Sequence, residues 1–160
     1  MSRRAAARLE SFGLENICVY VAGKQDWLAF DLPFDGKLAE SRTAGSSAIK
    51  DIPVCAPLEK ISEVRRRAEQ AGWHECVVVN DNRVVLGLLE KAAWHARDEL
   101  TVEEVMDPAP LTLRPHFPWE SVVQKMNSQK TAVALVTRPD GKLIGLLRQT
   151  ETKRPLSKNF

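Results

Sequence analysis

The sequence predicts an α/β fold built from two copies of one strand–helix–strand–strand–helix unit, and three observations carry that expectation. An amphipathic stretch, Ile61-Ser62-Glu63-Val64-Arg65-Arg66-Arg67-Ala68, returns about 58 residues later as Trp119-Glu120-Ser121-Val122-Val123-Gln124-Lys125-Met126. Two apolar runs follow each stretch: Cys76–Asn80 answers to Val133–Thr137, and Val84–Leu89 answers to Lys142–Leu147. Within the second run Gly87 and Gly145 hold the same place. Aligned this way, the offset is 58 in the helix, 57 in the next strand and 58 again at the glycines, the changes falling after Ala71-Gly72 and in the turn Arg138-Pro139-Asp140-Gly141. Duplication at such a period marks two copies of one supersecondary unit, which more often build a ligand cleft or a scaffold than a catalytic centre.

The elements can be justified in chain order. Residues 3–12 read as a short helix, since alanine and arginine favour it and Gly13 offers a stop. Ile17-Cys18-Val19-Tyr20 reads as a strand, and Gly23–Phe30 as a helical turn or two ending before Leu32-Pro33. Between Asp35 and Lys50 the composition shifts to Gly, Ser, Thr, Ala and charges, which predicts a flexible linker over 35–50. The first repeat is expected over 51–98. Val54-Cys55 is its first strand, and Ile61, Val64, Ala68 and Ala71 form the apolar stripe of its helix. Asn80-Asp81-Asn82 supplies turn chemistry between its paired strands, and a closing helix is expected over Lys91–Arg97. The second repeat is expected over 99–151, opened by the capping box Thr101-Val102-Glu103-Glu104, with Leu111-Thr112-Leu113 as its first strand. Residues 152–160 read as a polar tail.

Bulk properties narrow the classes of function. A chain of 160 residues with 44% apolar and 28% charged residues has the composition of a globular domain with a small appendage. A net charge of +2 argues for neither nucleic acid nor an anionic membrane as partner. No apolar run approaches the roughly 20 residues of a membrane span. The basic start Met1–Arg8 leads to Glu10 and Gly13 instead of an apolar stretch, so a secretory signal is not expected. Three scattered cysteines argue against a disulfide framework and for a reducing cytoplasm as the default location.

The doubled unit, with Gly-apolar-apolar closing its last strand, resembles the cystathionine-β-synthase (CBS) domain, and the pair resembles a Bateman module. The phrase Glu104-Val105-Met106-Asp107-Pro108-Ala109-Pro110-Leu111-Thr112-Leu113-Arg114-Pro115 is similar to the way second copies begin in that family. The resemblance implies two repeats packed about a pseudo-twofold axis, a cleft for an adenosine-containing ligand such as AMP, ATP or S-adenosylmethionine, and association into a homodimer. Residues 1–34 carry a second resemblance. Arg8-Leu9-Glu10, Gly13–Ile17 and Ala22–Pro33 look like the closing helix, strand and Trp-containing turn of a rhodanese domain. Cys18 sits in an apolar strand pattern that does not match the rhodanese catalytic loop, so no sulfur chemistry is expected.

The CBS resemblance implies candidate ligand positions: a Thr or Ser three residues after the strand glycine, and an Asp six residues after it. After Gly87 those places hold Glu90 and Ala93, so the first site lacks its ribose acceptor and Glu90 repels phosphate. After Gly145 they hold Arg148 and Glu151, which suit a phosphate and a ribose, or form an ordinary i,i+3 pair at a helix start. Thr112, ahead of the second helix, is a further candidate contact or an ordinary strand residue. His74, Cys76 and Cys55 fall short of a zinc spacing and read as packing residues. No nucleophile-and-base set and no phosphate loop is legible, so a non-catalytic regulatory module without cofactor or metal is expected. The alternative is a dimerising scaffold that has lost ligand binding. Arg65-Arg66-Arg67 reads as a solvated helix face.

Overall fold

The structure, a computed structural model, describes residues 2–36 and 41–152, with only the backbone of Ser2, Glu151 and Thr152. The predicted tail lies outside the described residues from 153 onward. Two three-stranded mixed sheets form the body, one per repeat. In repeat 1, β1 (Val54–Cys55) runs parallel to β2 (Cys76–Val79), which pairs antiparallel with β3 (Val85–Leu89). In repeat 2, β4 (Thr112–Leu113), β5 (Val133–Thr137) and β6 (Leu143–Arg148) repeat that order. The helices are α1 (Ser2–Ser11) and α2 (Gly23–Ala29) in the N-terminal segment, α3 (Ala44–Ser47), α4 (Ile61–Gln70), α5 (Val102–Val105), α6 (Trp119–Ser128) and α7 (Gln149–Thr152).

Burial explains why the paired strands are apolar on both faces. Cys76, Val78 and Leu89 face their own helix, packing with Cys55, Ile61 and Val64. Ala134, Val136 and Leu147 do the same with Leu113, Trp119, Val122 and Met126. The alternate residues, Val77, Val79 and Leu88 from one repeat and Leu135, Leu143 and Leu146 from the other, meet in a third cluster between the sheets.

Cross-repeat bonds are reciprocal at a shift of 58 residues, the signature of a pseudo-twofold axis. The bridge Ile49↔Leu146 has its counterpart in Leu88↔Asp107, Thr43↔Pro118 in Lys60↔Thr101, and Val84↔Lys142 is its own counterpart on the axis. The helix α3 of the first repeat buries Ala44 in the core of the second. Reciprocally, α5 buries Val102 in the core of the first. The glycine that recurs in both repeats, Gly87 and Gly145, suits the close range at which these exchanged segments cross the last strands. A Cβ on Gly145 would stand 2.6 Å from the Ile49 carbonyl oxygen, and one on Gly87 would stand 2.8 Å from that of Asp107.

Four expectations change. Residues 41–50, read as part of a linker, instead hold α3, whose Thr43–Ser46 capping box matches the Thr101–Glu104 box of α5. The repeated pattern therefore starts at Thr43, eight residues ahead of the expected boundary. The offset of 57 in the strands is also revised, because Cys76↔Leu89 corresponds to Ala134↔Leu147, which keeps 58 throughout. Consecutive apolar residues fit either alignment, and only the ladder decides. The expected helix over Lys91–Arg97 shrinks to a 3₁₀ turn at Ala93–His95, where Arg65 donates to the Ala96 carbonyl at 2.7 Å and Trp94 Nε1 to the His74 carbonyl at 2.8 Å. Ile17–Tyr20 takes no place in either sheet, since no described strand runs beside it to complete its hydrogen bonds.

Candidate functional site

A cleft of about 200 Å³ opens where the start of repeat 2 passes the hairpin of repeat 1. Its walls come from three places: Val85 and Leu86 on β3, the stretch Pro108-Ala109-Pro110 leading to Thr112 and Arg114, and Thr137 with Gly141 on the β5–β6 hairpin. Asp107 shapes the entry by accepting the Ala109 amide at 3.0 Å, a turn that presents the two prolines as an apolar wall. Thr112 stands exposed on β4, held by its register with Leu135. Arg114 is fixed by one nitrogen alone: Nη1 donates to the Thr137 hydroxyl at 2.8 Å, to the Thr137 carbonyl at 3.1 Å and to the Arg138 carbonyl. Anchoring through one nitrogen leaves the guanidinium's positive charge uncompensated by any carboxylate among the described ion pairs. An apolar wall, the Thr112 hydroxyl and a held guanidinium can take a phosphorylated ligand, with the planar group on the prolines and the anion at Arg114.

The pseudo-twofold gives a comparison within the chain. Thr112, Arg114 and Thr137 correspond to Val54, Ala56 and Val79 in repeat 1, which have no donor in their side chains. These three polar side chains thus stand on one of two related surfaces, while the other carries Lys50, Asp51 and Arg83 where this one has Pro108, Ala109 and Gly141. Sequence reasoning singled out Thr112 and missed Arg114 and Thr137 as its neighbours. The repeat comparison held the signal, hidden by the 57-residue strand alignment.

The other predicted site residues gather elsewhere. Arg148, at the end of β6, donates through Nη2 to Glu75 Oε2 at 2.7 Å and lies over the Trp73 ring at 4.8 Å. Glu90, just past β3, keeps solvent exposure. Its pKa is nevertheless raised, first by partial desolvation and then by Asp107 and Glu75. Arg148 is thus paired with Glu75, and neither it nor Glu90 lines the cleft that holds Thr112. The backbone of Glu151 is in α7, and its side chain lies outside the described residues.

The remaining candidates have structural explanations. Cys55 and Cys76 are buried together in the repeat 1 core, and the Cys55 thiol is pushed far up by its hydrogen bond with Cys76 and by burial, so it packs as a neutral group. Among the described residues no group of three His, Cys, Asp or Glu side chains is placed to hold a metal ion. Of the arginine run, Arg65 pairs with Asp98 and Arg67 with Glu59, each at 2.7 Å, tying loops to α4. The pKa of His116 is lowered by burial and then by Arg114. A wider concavity along α1 is lined by residues of that helix alone, which makes it a helix surface and not a cleft. No described helix is long and apolar enough to cross a membrane.

Comparison with known proteins agrees with this architecture. Residues 102–153 match the family model described as CBS domain, which coincides with repeat 2. A search of curated proteins finds no match. Among solved structures, the cytosolic domain of the Mg2+ channel MgtE in complex with ATP superposes with a TM-score of 0.65 at 21% identity, over 71% of this chain and 49% of that one. The structure of CBSX2 in complex with AMP gives 0.64 at 20% identity, over 70% of this chain and 93% of that one. GMP reductase C318A from Trypanosoma brucei, an enzyme, gives 0.61 at 23% identity, over 72% of this chain and 28% of that one. The chain thus spans about half of the MgtE domain and under a third of the reductase. The domain match and the shared fold support a CBS module.

Proposed function

We propose that the chain is a non-catalytic regulatory module that takes an adenine nucleotide in the cleft between its repeats. The observation that carries this reading is Arg114, a guanidinium held by one nitrogen beside Thr112 and the Pro108-Ala109-Pro110 wall. The complexes of MgtE with ATP and CBSX2 with AMP lend support. The cleft volume of about 200 Å³ lies below the roughly 300–1,000 Å³ of sites that enclose a drug-sized ligand. A nucleotide would therefore place one end in the cleft and leave the rest in solvent, so binding is expected to be weak, near 100 µM. Thermal-shift titration with AMP, ADP, ATP and S-adenosylmethionine at about 1 mM tests this, since such a ligand adds about 1.4 kcal/mol to stability. Arg114→Gln is expected to weaken the response about tenfold by removing a charge-assisted bond.

A second reading is a homodimerising scaffold that meets a protein partner. Two observations favour it: Ala93 stands at the expected ribose-acceptor place, and Arg148 is already paired with Glu75. It predicts a flat titration together with a sedimenting mass twice that of one chain. Residues 1–34 as a rhodanese-like tail remain part of the proposal, supported by the helical placement of α1 and α2 and by the Trp27 indole donating to the Pro33 carbonyl at 2.9 Å. Cytoplasmic location belongs to the same proposal.

A further inference from the structure

Every hydrogen bond that residues 2–36 make with other described residues stays inside that segment. The segment meets repeat 2 instead at a seam, where Leu28, Asp31 and Phe34 face Thr43, Pro115 and His116 across a cavity of about 40 Å³. Leu28 is buried there, and Asp31 lies on Gly45, where a Cβ would stand 3.1 Å from its Oδ1. The His116 ring is half-buried and edge-on to Phe117, with centroids 5.3 Å apart. Its Nδ1 is buried and has no hydrogen-bond partner among the described residues. The surrounding elements bring Arg114, Arg42 and Lys125 as cations, the last two lying over the Trp119 and Phe117 rings at 3.5 and 4.9 Å. Asp31 is the carboxylate that lines this cavity, and Lys50 shares a neighbouring cleft with it.

A neutral imidazole carries a proton on one nitrogen only, so an unpartnered buried nitrogen is tolerable. An imidazolium donates from both and puts a charge behind an apolar contact. Burial first and Arg114 second disfavour that charge, which holds the His116 pKa below the ordinary 6.5. Separation of the segment returns the ring to solvent and its pKa toward 6.5. Docking is therefore strongest above that value and weakens as pH falls below it. Repeat 2 can stand without the cover, because the related surface of repeat 1 already does. There Glu103 donates its amide to the Pro57 carbonyl at 3.0 Å, as Gly45 does to Pro115, and Leu58 at the place of His116 is 77% exposed. We infer that the seam is a proton-operated latch, in which charging His116 lifts residues 2–36 off repeat 2 and uncovers the surface formed by Thr43, Gly45 and Pro115. The latch needs no ligand in the cleft at Arg114.

The test is NMR of the full chain between about pH 8 and about pH 5.5, in wild type and His116→Gln. It follows the His116 ring protons together with the NOEs that link Leu28 and Phe34 to Thr43 and Pro115. In wild type the docked fraction is expected to fall about threefold or more over this range, along the titration of the His116 ring. His116→Gln is expected to keep the seam NOEs throughout. Seam NOEs that persist in wild type while the ring titrates overturn the latch, and so does an equal loss in His116→Gln. A seam that tightens on acidification, through pairing of the charged ring with Asp31, overturns it as well. A ring that stays neutral to the end of the range with the seam intact has the same consequence. NOEs across β5 and β6 serve as the folding control, and their loss together with the seam means unfolding, which also overturns the latch. Should His116→Gln not fold, His116→Phe puts a neutral ring at the seam and is held to the same expectation.

Discussion

Glu90 bears an electrostatic cost imposed by its surroundings. Partial desolvation is the largest cause of its raised pKa, followed by Asp107 and Glu75. Because its folded pKa stands above the ordinary 4.5, the native state binds more protons than the unfolded chain in the window just above that value. Stability therefore falls as pH rises through the window, and the full cost is present at neutral pH. Glu90→Gln is expected to raise the melting temperature by about 1–2 °C at pH 7, with the gain shrinking toward zero below pH 4.5. A lower melting temperature, or a gain independent of pH, would contradict this account. At this scale the sequence named candidate positions but not the partners those side chains meet. Thr112 was a candidate through the resemblance alone, while Arg148 looked available because Glu75 meets it only through the folded pair of repeats.

Elements were legible where periodicity and turn chemistry agreed. The stripe of Ile61, Val64 and Ala68 gives α4, and Asn80 caps its own turn by accepting the Asn82 and Val84 amides at 3.0 Å each. The stretch 41–50 was illegible because Gly45-Ser46-Ser47 has linker composition, and its helix is fixed by contacts made elsewhere. Gly45 donates its amide to the Pro115 carbonyl at 2.9 Å, and a Cβ there would stand 2.8 Å from that of Pro115. The same logic of close crossing yields a prediction at Gly145. Gly145→Ala drives a methyl against the backbone of Ile49 and is expected to cost about 1–3 kcal/mol in urea denaturation. A neutral result would mean that the 48–50 segment does not cross β6 as described.

For the whole molecule, the exchange of α3 and α5 makes each repeat complete the other's core. Neither should unfold alone. Ile61→Ala, deep in repeat 1, is expected to cost about 2–5 kcal/mol and to lower the unfolding midpoint of both repeats together. Fluorescence from Trp119 and Trp94, isolated by replacing the other tryptophans, reports the two cores separately, and two distinct midpoints would refute the exchange. The duplication was readable in the sequence. The exchange was not, because its short helices carry only a few residues and take their meaning from the partner repeat. The same architecture places Thr112, Arg114 and Thr137 on one side of the pseudo-twofold alone, and that asymmetry is the centre of the functional account. Its most direct test is methyl NMR of the protein during ADP addition. The account predicts shifts concentrated at Val85, Leu86, Thr112 and Thr137 that need about tenfold more ADP in Arg114→Gln. Shifts confined to other methyls, or none at millimolar ADP, would contradict it.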